Sequence, residues 1–163
     1  MDNFEKIETV IDHIQNVQRN CLKLGIKLIK AGRFEFGRDL IANGQLHDNS
    51  KLRGIEFDRL FAGEQLLPEA IKHHRSVNLH HPEYWGTIHD MPEIYLAEMV
   101  CDCTARSAEF GTDIRLWFSH EGTARYNFSM TDSVGVRITN FLDILLGKTF
   151  VNTPLDVQQK ENR

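Results

Sequence analysis

Apolar residues recur at three- and four-residue steps along most of this chain and nowhere alternate convincingly, so the whole is read as helical. Phe4, Ile7, Ile11, Ile14, Val17 and Leu22 or Leu24 form one stripe on a long first helix over residues 4–31, with Gly32 placed to stop it. A second helical stretch covers 34–48, carrying Phe36, Leu40 and Ile41 on one side, although Gly44 is a poor helix former. Ser50 is placed to cap a short helix over 52–62 that Gly63 closes. Pro68 opens a helix from 68 to 76. Residues 78–85 read as irregular, because Pro82 biases His81 away from helical geometry. Asp90-Met91-Pro92-Glu93 is a start signal, with Asp90 as N-cap, for a helix that runs to 110. Two more helices follow over 113–127 and 132–147, beginning at Thr112-Asp113 and Thr131-Asp132. Residues 149–163 carry few apolar groups and read as a frayed tail. The expected architecture is all-α: one bundle of about six or seven helices over residues 1–148.

A chain of 163 residues suits one domain with a single core. The formal net charge of -4 argues against duplex nucleic acid as a bulk partner, while leaving room for a local basic pocket. No apolar run is long enough to read as a membrane span. The first residues, MDNFEKIETV, are acidic and amphipathic, unlike a signal or transit peptide. Cys21, Cys101 and Cys103 are an odd set without disulfide-framework spacing, which points to a reducing cytoplasm.

Histidine is the unusual residue. There are 8, including the adjacent pairs His73-His74 and His80-His81. His13 lies on the first helix, His47-Asp48 ends the second, and Asp102 sits inside the fifth. Imidazole and carboxylate together suit a borderline divalent ion: manganese, iron, cobalt, nickel or zinc. Neighbours on a regular helix point about 100° apart, so His47 and Asp48 can share an ion only in the wedge between them. His13 and Asp102 would complete that wedge from either side. Lys51, three residues after Asp48, can reach a phosphate held there, and Arg75 and Lys72 flank a histidine pair and can serve likewise.

The order His13, His47-Asp48-Asn49-Ser50-Lys51, paired histidines, then Asp102 resembles the H…HD…D signature of the HD superfamily of metal-dependent phosphohydrolases. The stretches HDNSK, HHRSVNLHHPEYW and MPEIYLAEMVCDCTARS are also similar to a family of small phage and bacterial proteins with that pattern. The resemblance covers residues 10–110. It implies a helical core in which His13, His47, Asp48 and Asp102 bind one metal. It also implies that added histidines, here among His73, His74, His80 and His81, build a second metal or phosphate site. Members mostly hydrolyse phosphoesters, often of nucleotides, and a minority are di-iron oxygenases.

The expected function is therefore hydrolysis of a phosphate ester, a nucleotide foremost, by metal-activated water. Asp48 and Lys51 are the catalytic residues, and Lys51, Arg75, Tyr84 and Trp85 contact substrate. Tyr84 and Trp85 have two readings: a wall on which a base stacks, or a staple holding a loop to the bundle. Alternatives of other classes are an HD-fold di-iron oxygenase and a non-catalytic metal- or nucleotide-binding module, and a homodimer fits any of the three. Each residue also has an ordinary explanation. His13 lies at the margin of its stripe, Asp102 and Glu98 could belong to a solvated face with Arg106, and Glu56 reads as an exposed acid before a support for a metal-binding histidine. Cys101 and Cys103, two apart on a helix, cannot both face one ion and are assigned to packing.

Overall fold

The computed structural model describes residues 3–61 and 64–148, and among these there are helices, turns and loops but no strand. The elements in order are α1 (Asn3–Lys30), α2 (Phe34–Leu46), a 3₁₀ turn (Asn49–Leu52), α3 (Gly54–Phe61), a second 3₁₀ turn (Glu64–Leu66), α4 (Leu67–Val77) and α5 (Pro82–Trp85). There follow α6 (Glu93–Glu109), α7 (Ile114–Trp117), a π turn (Phe118–Gly122), α8 (Thr123–Tyr126) and α9 (Ser133–Leu146). The all-α expectation holds. The expected tail and the closing role of Gly63 lie outside the described residues.

The core forms where α1 packs along α2, α6 and α9. From α1 it takes Val17, Cys21, Leu24 and Leu28, and from α6 Leu96, Val100 and Cys101. From α9 it takes Ile138, Phe141 and Leu145. Phe4 and Ile11 of the expected stripe are exposed; of Leu22 or Leu24 it is Leu24 that is buried, and Cys21 and Leu28 continue its line. The α1 stop is as expected: Gly32 has φ 88°, the Arg33 N–H donates to Leu28 O and the Gly32 N–H to Ile29 O, a Schellman closure. Gly44 does not weaken α2. A side chain there would strike Cys21, so glycine lets α1 and α2 approach closely.

Local signals succeed at two caps and fail at two. Asp113 accepts from the N–H groups of Arg115 and Leu116, and Asp132 from those of Val134 and Gly135. Asp90 does not cap α6; its carboxylate accepts from the Thr87 hydroxyl, and Pro92 immediately precedes the helix. Ser50 does not cap α3 either, lying in the preceding 3₁₀ turn where its Oγ accepts from Asn78 Nδ2. Residues 82–85, expected to be irregular, form one helical turn with Pro82 in its first positions.

Candidate metal centre

The expected second helix, 34–48, ends two residues early, and that ending shapes the site. α2 stops at Leu46, His47 takes an extended conformation, and Asp48 is left-handed at φ 54°. Aspartate tolerates this region better than most residues, though at some strain, and such strain concentrates at functional sites. The turn means that His47 and Asp48 are not neighbours on a regular helix. His47 Nε2 and Asp48 Oδ2 lie 3.5 Å apart, and both residues are buried.

Around this pair, other elements supply the rest. α1 presents His13, whose Nε2 is 3.0 Å from Asp102 Oδ1 on α6. α4 presents His74, with Nε2 3.3 Å from Asp48 Oδ1. The loop before α5 presents His80, with Nε2 3.4 Å from the same oxygen and 3.9 Å from Asp102 Oδ2. Candidate ligand atoms of His13, His47 and Asp48 all lie within 4.8 Å of one another, as do those of His47, His80 and Asp102 and those of His74, His80 and His81. Of the four residues expected at one point, His13, His47 and Asp48 share one group and Asp102 falls in the adjoining one, linked through His47 and through its 3.0 Å contact with His13.

Each main histidine is oriented from behind by a carboxylate. His13 Nδ1 is 2.9 Å from Glu109 Oε1, His47 Nδ1 is 2.9 Å from Glu98 Oε1, and His74 Nδ1 is 2.7 Å from Glu56 Oε1. For His13 and His47, with the proton on Nδ1 donated to the carboxylate, Nε2 keeps its lone pair and faces Asp102 or Asp48; His74 Nδ1 also lies 2.9 Å from the Asn78 amide nitrogen. This is the carboxylate–histidine arrangement that supports metal-binding imidazoles. His47 Nε2, Asp48 Oδ1, His80 Nε2 and His81 Nε2 are buried and make no hydrogen bond. Buried polar atoms are normally paired, so this group of open N and O atoms fits a divalent cation.

The electrostatics agree. Burial opposes ionisation of Asp48, yet His47, Lys51, His74 and His80 together hold it well below the usual carboxylate range. Burial likewise opposes charge on Glu98, but hydrogen bonds from His47 and His80 pull it down to about 2. Burial lowers the His47 imidazole, while Asp48 and Glu98 outweigh it and raise it overall. His81 has burial and the neighbouring His80 and His74 against it, and falls to about 3, a neutral ring with a nitrogen to offer.

Several sequence-based expectations need correcting. Glu56 is not an exposed acid; it is buried and holds His74. Glu98 and Glu109 were not expected to support the site. They stand four residues before and seven after Asp102, the helical spacing of one face, and that spacing was the available signal. Of the histidine pairs, His74 and His80 are buried and turned to the cluster, while His81 packs edge-on to His74 and tilted against His80, with ring centroids 4.6 and 4.4 Å away. His73 is the outward member, its side chain 37% exposed and 3.5 Å from Glu56. Of the Cys pair, Cys101 lies in the core and Cys103 packs against it, both as expected, and Cys103 also lines a cavity beside the cluster.

That cavity has a volume of about 690 Å³ and reaches from His13, His74, His81 and Asp102 out to Arg106, Arg125, Trp117 and Tyr126. Lys51 and Arg75 line it; Lys72 is exposed and does not. Tyr84 and Trp85 do not line it either. Trp85 donates from Nε1 to Leu79 O at 2.8 Å and stacks on Tyr95, so the staple is the reading that holds. The cavity's aromatic wall is Trp117, at the start of the π turn, with Tyr126. Gly122 leaves room for the Trp117 ring, since a Cβ there would lie 3.2 Å from its Cζ3.

Fold and site together define an all-helical protein with a buried histidine–carboxylate cluster opening onto a cavity with cationic and aromatic residues. The chain belongs to the family described as a family of unknown function, DUF5662, whose pattern matches residues 2–144. No curated protein and no solved structure matches it. None of the helices among the described residues is long and apolar enough to cross a membrane.

Proposed function

We propose that this protein is a metal-dependent phosphohydrolase of the HD type, acting on a phosphate monoester and foremost on a nucleotide. The observation that carries the reading is the set of His13, His47 and His74, each backed by a carboxylate at Nδ1 and each turning Nε2 toward Asp48 or Asp102. His13, His47, Asp48 and Asp102 would hold the main ion, and His74, His80 and His81 a second. When bound, such an ion supplies Lewis acidity and lowers the pKa of a water molecule. Glu98 and Glu109 hold protons on the far nitrogens of His47 and His13 and fix those rings, while Glu56 and Asn78 position His74. Lys51, paired with Asp48 across the cavity wall, offers a cation to phosphate oxygens, whose charge must be stabilised during transfer. Trp117 and Tyr126 offer a flat surface on which a base can stack, the role first considered for Tyr84 and Trp85.

The test is elemental analysis of the purified protein, followed by a phosphatase screen with added manganese, cobalt and magnesium. Stoichiometric metal and release of phosphate from nucleoside monophosphates are expected. A protein that takes up no divalent ion would overturn the reading. Metal uptake with no turnover of any phosphate ester would move the binding module ahead. The same second histidine group is compatible with a di-iron oxygenase, for which two irons and a visible absorption band are the distinguishing result.

A further inference from the structure

One carboxylate at the cavity edge stands between two arginines and satisfies neither. Glu83 Oε1, on α5, lies 3.4 Å from Arg75 Nε on α4 and 3.7 Å from Arg125 Nη2 on α8. The second oxygen, Oε2, lies 3.9 Å from His81 Nδ1. Neither guanidinium makes a hydrogen bond to any described residue, although both line the cavity. Arg33 and Arg115 differ: Arg33 makes two hydrogen bonds to Glu93, and Arg115 donates to Gly147 O. Two five-donor groups from separate helices thus converge on one shared oxygen at ion-pair distance.

We infer that Arg75 and Arg125 form an anion clamp for a phosphate group, and that Glu83 is its built-in, displaceable occupant. A phosphate dianion carries three acceptor oxygens where the Glu83 carboxylate offers one, so it can bond both guanidiniums at once. Arg106 lines the same cavity but is bonded to Glu109, so the two clamp arginines carry the binding. Arg125 lies over the Tyr126 ring at 5.1 Å, which holds its fork at the cavity rim. Glu83 reaches the edge of the histidine cluster only through His81, at 3.9 Å, and its two arginines form no ion pair with Asp48 or Asp102, so a phosphate in the clamp is distinct from one held at Asp48. The inference goes beyond the hydrolase reading, because phosphate binding is measured without turnover.

The sign of the effect is the test. Removing an acid from a site usually costs a contact, but here it removes a competitor. Glu83→Gln is expected to tighten inorganic phosphate by about fivefold in calorimetric titration of the metal-loaded protein, and Arg125→Ala to weaken it by a similar factor. The double variant should lose the gain. Helical circular dichroism and metal content, unchanged in all three, show that fold and cluster are intact. Phosphate affinity that is unmoved or weakened by Glu83→Gln overturns the clamp. So does affinity that falls with Lys51→Ala but not with Arg125→Ala, which would place the phosphate at the cluster alone. Titrating adenosine monophosphate and diphosphate beside inorganic phosphate identifies the source. A Glu83→Gln gain for the diphosphate alone assigns the clamp to a second phosphate of one ligand, and a gain for all three to any single phosphate.

Discussion

The apolar core and the histidine cluster are built on the same helices and are buried to a similar degree, yet their interiors are finished differently. α1 gives Val17, Cys21, Leu24 and Leu28 to the core and His13 to the cluster, and α6 gives Leu96 and Val100 to one and Glu98 and Asp102 to the other. In the core every side chain is apolar and contact alone completes it. In the cluster His47 Nε2, Asp48 Oδ1 and His80 Nε2 are enclosed without hydrogen bonds. Leaving such atoms unpaired costs stability, so a sequence under selection for stability alone would not concentrate them in one place. The contrast teaches that core residues hold the helices in position while the cluster keeps its bonding capacity open for a ligand.

The largest expected effect tests the core half of this contrast. Phe141 is 2% exposed and stacks on Phe36 at a centroid distance of 6.0 Å. Phe141→Ala should destabilise the protein by about 3–5 kcal/mol in urea unfolding, with metal bound per folded molecule unchanged. Asp48→Ala should behave in the opposite way. Saturating manganese at a hundredfold over its dissociation constant should stabilise the wild type by about 2.7 kcal/mol and the variant not at all. Equal metal stabilisation in both would erase the distinction between the two regions. Glu98→Gln sharpens it further, since it keeps size and hydrogen bonding but removes the charge behind His47. Metal affinity should drop by about 10- to 100-fold while the unfolding midpoint of metal-free protein moves little.

How much of this was legible in the sequence depended on whether the signal was local. His13, His47, Asp48 and Asp102 were legible because their chemistry and order are unusual enough to name together. Asp113 and Asp132 were legible as caps because a cap bonds backbone groups two and three residues away. Glu98 and Glu56 were read chiefly as solvated acids and Glu109 went unread, because an acid on a helix face has the same spacing whether water or a histidine meets it. The wall was assigned to Tyr84 and Trp85 from their place beside the histidines in sequence. The chain instead brings Trp117 and Tyr126 to the cavity from more than thirty residues away, a long-range choice that no local pattern encodes.

Helix ends belong to neither buried region, and they supply the smaller effects against which both are measured. Asp113→Ala removes an acceptor for two N–H groups at the start of α7 and should cost about 1 kcal/mol, with metal uptake unaffected.

Asp132 gives the last and smallest effect, and its sign with pH is fixed by its bonds. The carboxylate accepts from the N–H groups of Ser129, Gly135 and Val134, and these hold its pKa below the ordinary 3.8. A carboxyl group depressed in the folded state binds its proton more readily when unfolded. Its stabilising contribution is therefore complete above the unfolded pKa and is lost as pH falls through the folded one. The melting temperature of Asp132→Ala should thus lie below that of the wild type at neutral pH, and the gap should narrow as the buffer is taken below 3.8. Asp132→Asn, which keeps an acceptor oxygen but cannot titrate either, should show a smaller gap at neutral pH that narrows over the same range, because the group that takes up the proton is the wild type's own. A gap in Asp132→Ala that widens on acidification would mean that the cap is not charged in the folded protein. The same titration on Phe141→Ala should show no dependence of its gap on this group, so a core defect and a charge defect separate by pH alone.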